Sequence, residues 1–309
     1  MNIQWFPGHM AKARKLVSEN LKFVDVVIEI LDARIPYSSK NPEIDKILKS
    51  KPRIVAFNKA DLADEKISRE WGEWYGKKGF QVVFLDAVRG KGVNRLKSLI
   101  AEMTKDKLER EKQKGKVYRP VRTMVVGITN VGKSTLINTI AGKARAATGD
   151  RPGVTRQKQW VRLDNGIEML DMPGILWPKF DDPRVGLNLA FTGAIKDDVI
   201  DMAEVAARLM VKLYETYPEL LKSRYKLGED LIDTSNLIND TFSMDKPGNP
   251  EKQDNEILLG YKLLERAGRN RGCLVGGGNV DFNRIASIVL DEFRGGKIGR
   301  ISLEKPSTS

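Results

Sequence analysis

Six short apolar, β-branched runs stand out along the chain: Val24–Leu31, Arg53–Phe57, Gln81–Leu85, Thr123–Ile128, Gln159–Leu163 and Ile167–Leu170. Runs of this length bounded by turn residues mark strands buried on both faces of a sheet. Polar or helix-patterned segments separate most of them, including Pro42–Lys49, Ser68–Lys78 and Asn94–Gly115. Such alternation predicts an α/β domain with a mainly parallel sheet. After Pro178 the pattern changes, and Met202–Tyr214, Glu256–Ala267 and Phe282–Phe293 read as amphipathic helices with no convincing strand among them. Two domains are therefore expected, at 1–178 and 179–309, because single cores rarely grow past ~250 residues. The basic stretch Lys112–Arg122 reads as a linker inside the first domain, and the polar stretch Asn236–Asn255 as a loop.

The chemistry begins between two of these elements. Residues 127–134 read Gly-Ile-Thr-Asn-Val-Gly-Lys-Ser, following a predicted strand and opening a predicted helix over Lys133–Ala141. Gly127 and Gly132 permit a backbone that wraps phosphates with its N–H groups, and the helix directs its N-terminus at them. Lys133 would reach the β- and γ-phosphates and Ser134 would bind Mg2+, with Asn130, Val131, Gly132 and Thr135 completing the nucleotide contacts. Further on, Asp171-Met172-Pro173-Gly174 closes a strand. Asp171 is expected to hold Mg2+ through water, and the Gly174 N–H to bond the γ-phosphate. Thr155 is the candidate switch threonine that ligates Mg2+ when GTP is present.

The base-reading residues lie upstream. Asn58-Lys59-Ala60-Asp61 follows the second run, and the Asp61 carboxylate can accept both N1–H and the exocyclic amine of guanine. Adenine would leave that carboxylate unpaired, a penalty worth roughly 10⁴ in specificity. Asn58, Lys59 and Ala60 would brace base and loop. Asp86-Ala87, closing the next strand, fits the backbone segment that contacts guanine O6. Numbering the phosphate loop G1, the switch threonine G2, Asp171–Gly174 G3, Asn58–Asp61 G4 and Asp86-Ala87 G5, the motif order is G4-G5-G1-G2-G3.

With this order, the chain resembles the circularly permuted GTPases, and among them the bacterial ribosome biogenesis GTPase A family. Further matching segments are Trp5-Phe6-Pro7-Gly8-His9-Met10-Ala11-Lys12-Ala13, Asp32-Ala33-Arg34-Ile35-Pro36, Gly174-Ile175-Leu176-Trp177-Pro178 and Arg271-Gly272-Cys273-Leu274. The resemblance implies a permuted P-loop GTPase domain followed by a small all-α domain that binds RNA. It also implies late assembly of the large (50S) ribosomal subunit in the cytoplasm, with the precursor particle and its rRNA as partners and as stimulators of hydrolysis. Ile175 stands where many relatives place a water-orienting Gln. His9, the only histidine, is the candidate for that work as orienter or base, and the resemblance points to the same residue. The alternative for His9 is packing beside Trp5 and Phe6. Asn130 resembles the potassium-dependent GTPases, in which this position helps ligate K+ near the β–γ bridge; the alternative is an Asn suited to a tight loop.

Composition adds a partner class. Lys and Arg number 53 against 41 Asp and Glu, for a net charge of +12, which suits a polyanion such as RNA. Arg266, Arg269, Arg271, Arg284, Arg294, Lys297 and Arg300 are candidate phosphate contacts, or else a solvated helical face. One cysteine excludes an internal disulfide, and one His with one Cys is too few for a usual structural zinc site. No apolar stretch is long enough to span a membrane, so a protein that stays in the cytoplasm is expected. The sequence leaves the oligomeric state open, with a monomer as the expectation. The rival to a working enzyme is a nucleotide-gated RNA-binding module whose GTP occupancy, not hydrolysis, controls docking.

Overall fold

The computed structural model describes residues 7–48, 51–115, 119–142, 159–163, 166–174, 176–177, 180–228 and 250–306, leaving the side chains of 7–13, 159 and 250–254 outside the description. Its contacts divide the chain into two compact units, Met1–Gly186 with Glu304–Ser309, and Leu187–Leu303. The last strand ends at Asp171 and the pattern changes at 178–179, whereas the packing divides at Gly186. The last residues also return to the first unit.

The first unit is built on a six-stranded sheet of β1 (Val26–Asp32), β2 (Arg53–Asn58), β3 (Gln81–Phe84), β4 (Val121–Val126), β5 (Gln159–Leu163) and β6 (Ile167–Asp171), ordered β3-β2-β1-β4-β6-β5. All neighbouring pairs are parallel except β5 with β6. Every residue of β1 is buried, which is why its sequence shows no alternation and is apolar apart from the ion-paired Glu29 and Asp32. Val27, Leu31, Val55, Phe57, Met124 and Val126 share one face. Helices α1 (Pro7–Leu21), α2 (Pro42–Leu48) and α3 (Glu65–Lys77) cover it through Val17, Ile44, Leu48, Ile67, Trp71 and Tyr75. Ile28, Ile30, Ile54 and Val125 point the other way by alternation. Helix α4 (Val93–Gln113) packs on β1 and β3, and α5 (Lys133–Ala141) on β5 and β6.

This topology positions the site. β1 and β4 are neighbours although they are not consecutive, so the direction of sheet growth reverses between them. Ligands bind outside the carboxyl ends of strands at such a switch point. Those ends carry Asp32, Asn58, Asp86, Gly127 and Asp171, gathering motifs from distant parts of the chain on one edge.

The second unit holds α7 (Met202–Thr216), α8 (Pro218–Tyr225), α9 (Pro250–Asn270) and α10 (Phe282–Arg294), with most of α6 (Pro183–Phe191). It has no strand among the described residues. α7 is central and packs against α9 and α10. A Cβ at Gly260 would lie 2.5 Å from the Ala207 carbonyl oxygen, so α7 and α9 approach as closely as glycine allows.

Two expectations are corrected here. α9 begins at Pro250, so 250–255 is helical rather than loop, while 236–249 lies outside the described residues. α4 runs to Gln113 and β4 starts at Val121, which shortens the linker from both ends. Helices α1, α6 and α8 were not anticipated, yet each opens on a proline, whose fixed φ and missing N–H suit a first turn.

Candidate nucleotide site

Asn58, at the end of β2 and 3% exposed, joins the two halves of the site. Its Nδ2 donates to the Val131 carbonyl at 2.8 Å, and its Oδ1 accepts from the Ala87 N–H at 3.0 Å. Gly132 must be glycine for this contact: its φ is 101°, and a Cβ would meet Asn58 Nδ2 at 2.2 Å. Lys59 adopts a left-handed φ of 59°, as does Asn130 at 54°. Lys59 Nζ donates to the Asn130 carbonyl and to Asp32 Oδ2, each at 3.0 Å. The Ala60 N–H donates to the Leu85 carbonyl, fixing the tetrapeptide to the segment after β3.

Asp61 Oδ2 accepts from Arg89 Nη1 at 2.9 Å, and the same guanidinium reaches Asp86 Oδ2 at 3.0 Å. Asp86 Oδ1 also accepts the Val88 and Arg89 N–H groups. Burial pushes the Asp86 carboxyl up, but these bonds and the Arg89 charge outweigh it and hold it below its ordinary value. The segment expected to face guanine O6 thus has its Ala87 N–H taken by Asn58, so a base oxygen there would share it. Thr139 Oγ1 of α5 donates to the Ala87 carbonyl at 2.6 Å, a second tie between the halves.

On the phosphate side, Gly127 leaves β4 at φ 153°, where a Cβ would meet the Ile30 carbonyl oxygen at 2.6 Å. Lys133 opens α5 with its ammonium buried, donating to the Ile128 carbonyl at 2.6 Å. Burial pushes its pKa down to about 8, with Asp171 opposing the shift. Ser134 Oγ donates to Asp171 Oδ2 at 2.9 Å, placing a hydroxyl and a buried carboxylate together as hard oxygen donors suited to Mg2+. Thr135 follows, half-buried. Gly174 lies against the loop, where a Cβ would be 2.8 Å from both Cα and N of Thr129.

The structure therefore brings together Asn58, Lys59, Ala60, Asp61, Asp86, Ala87, Asn130, Val131, Gly132, Lys133, Ser134, Asp171 and Gly174. Thr155 and Ile175 lie outside the described residues. His9 falls in the first turn of α1, and its side chain lies outside the description. Arg89 and Asp32 were not foreseen as part of the site, although Asp32 stands in a motif and at a strand end. Several candidate RNA contacts are engaged within the second unit. Arg294 bridges to Asp197 and to the Ala190 and Phe191 carbonyls, Arg271 reaches Glu292, and Arg269 reaches Glu265.

A sheet that brings the Asn58-Lys59-Ala60-Asp61 segment beside a phosphate loop has the arrangement of a P-loop GTPase. Because the guanine half comes first in this chain, the class is a circularly permuted one. The family described as "50S ribosome-binding GTPase" matches residues 122–226. Ribosome biogenesis GTPase A of Priestia megaterium (strain DSM 319 / IMG 1521) is 47% identical over 308 residues, covering 99% of this chain and 98% of the relative. That of Bacillus cereus is 45% identical, covering 99% and 95%. The fold also matches the crystal structure of GNP-bound YlqF from T. maritima, with a TM-score of 0.58 at 24% identity over 96% of this chain and 99% of that one. The chain belongs to the ribosome biogenesis GTPase A family and is a GTP hydrolase.

Proposed function

We propose that this GTPase acts in late assembly of the large ribosomal subunit in the cytoplasm, as a monomer, binding the precursor particle and its rRNA, which stimulate hydrolysis. GTP sits with its base on Asp61, its base loop braced by Asn58 and Lys59, and its phosphates in the loop from Gly127 to Thr135. The observation that carries the nucleotide site is the Asn58–Val131 hydrogen bond, which closes the base-reading tetrapeptide onto the phosphate loop. Ser134 and Asp171, together with Thr155, would hold Mg2+, which would supply positive charge against the β- and γ-phosphates. Lys133 adds a second positive charge, and the Gly174 N–H bonds the γ-phosphate. Asn130 supports a K+ site beside it.

His9 orients the attacking water, because Ile175 has no side-chain hydrogen bond to offer. His9→Ala should slow turnover about 10²- to 10⁴-fold while leaving GTP affinity nearly intact. Unchanged turnover in both the free and the particle-bound protein would remove that role. Equal rates in KCl and NaCl at matched ionic strength would remove the K+ site.

The second reading, a nucleotide-gated RNA-binding module, is favoured by Ile175. GTPase rates with and without purified large-subunit precursors separate the two. Strong acceleration supports the stimulated enzyme, and docking that depends on GTP without acceleration supports the gated module. The basic surface supports RNA as the partner through Arg284 and Lys297, with fewer free cations than the charge alone suggests. Among the described residues no helix is long and apolar enough to cross a membrane.

A further inference from the structure

The segment Asp32-Ala33-Arg34-Ile35-Pro36 has no chemistry assigned to it by the motifs. The sheet gives it a place. Asp32 ends β1 in register with Asn58 at the end of β2, and the Ala33 N–H donates to the Asn58 carbonyl at 2.9 Å. Its carboxylate is 2% exposed and fully engaged. Oδ1 accepts from Arg34 N at 3.1 Å and Arg34 Nε at 3.0 Å, while Oδ2 accepts from Arg34 Nη2 at 2.8 Å and Lys59 Nζ at 3.0 Å. Its backbone is pinned as well, since the Asp32 N–H donates to Ser39 Oγ at 3.0 Å. The loop carrying Ser39 is held in turn where Glu304 accepts the Tyr37 and Ser38 N–H groups. A fixed anion thus faces the one lysine of the guanine tetrapeptide, whose left-handed backbone a side-chain-bearing residue adopts only when its surroundings hold it there.

We propose that Asp32 is a positioning residue for guanine-nucleotide binding, holding the Lys59 ammonium where it bridges to the Asn130 carbonyl of the phosphate loop. It touches no nucleotide and acts through Lys59. If it served only to neutralise the buried Arg34, the bidentate Arg34 contact alone would suffice. Instead Oδ2 is shared with Lys59, so the base loop and the end of β1 are set by the same oxygen. The inference rests on the guanine-site assignment of Lys59 above.

The test is a double-mutant cycle on GDP and GTP affinity, read by titration with fluorescent nucleotides. Asp32→Asn alone leaves Arg34 buried and uncompensated, and is expected to lose thermal stability too. The paired change Asp32→Asn with Arg34→Gln removes both charges together and keeps the fold testable. That pair should weaken GDP and GTP alike by about tenfold, and by less than about twofold when added to Lys59→Met, since only coupled sites depart from additivity. Wild-type affinity in the paired variant, or an equal fall in the Lys59→Met background, overturns the proposal. Wild-type affinity in Lys59→Met itself would instead overturn the guanine-site assignment, so the two failures are distinguishable.

Discussion

Asn58 Nδ2 and the Val131 carbonyl oxygen lie 2.8 Å apart, across a separation of 73 residues. One buried side chain thereby spans the base loop and the phosphate loop, while its own oxygen holds Ala87. Asn58→Ala would strand a buried acceptor and a buried donor together, each costing about 1–3 kcal/mol. Isothermal titration should show GDP and GTP affinity reduced about ten- to a hundredfold, with a lower melting temperature for the nucleotide-free protein. Affinity within twofold of wild type would mean the halves are held by other contacts.

Asp61 supplies two acceptors on one edge. In Asp61→Asn one acceptor becomes a donor, which opposes the exocyclic amine of guanine but suits the C2 carbonyl of xanthine. GTP affinity should fall by more than about a hundredfold while XTP affinity rises above it, because a mismatched buried polar edge is strongly rejected. Competition binding with GTP, XTP and ATP checks this. Retained preference for GTP would contradict the assignment of Asp61.

The sheet and the motifs were legible because they depend on short-range signals. Runs such as Ile167–Leu170 are buried on both faces and so cannot alternate, and Gly132 and Lys133 carry their spacing with them. The ion-pair network was not legible. Nothing adjacent in sequence says that Asp32 meets Lys59 or that Arg89 meets Asp61; strand order alone brings each pair together. α1 was missed although Pro7 marks its start and Val17 and Leu21 share a face. The change of pattern at 178–179 falls between the end of β6 at Asp171 and the packing division at Gly186, because the strand signal stops well before the chain enters the second unit.

Gly174 sits where a Cβ would be 2.8 Å from Thr129 Cα and N. Gly174→Ala must push the strand-end turn away from the phosphate loop, displacing the N–H proposed to bond the γ-phosphate. GDP lacks that phosphate, so GDP affinity should stay within about threefold, while turnover falls about 10²-fold or more, the scale of losing one backbone donor to transition-state charge. Single-turnover rates with saturating GTP measure this, and an unchanged rate would show that the Gly174 N–H does no work in hydrolysis.

Asp25 is one of the buried carboxylates that give the first unit its acid sensitivity. It is buried at the head of β1, where Arg119, Lys107 of α4 and the Arg122 N–H all donate to its carboxylate. Burial pushes its pKa up, but those partners outweigh it and hold the carboxyl well below the usual range. A carboxyl depressed in the folded state stabilises the fold above its unfolded value near ~3.9, and that contribution is lost as pH falls below it towards the folded value. Asp25→Asn should therefore cost about 2 kcal/mol at pH 7. Its stability should change less than that of wild type between about pH 5 and pH 2. Urea unfolding followed across that range gives both numbers. Parallel curves for the two proteins would show that this carboxylate contributes nothing to acid sensitivity.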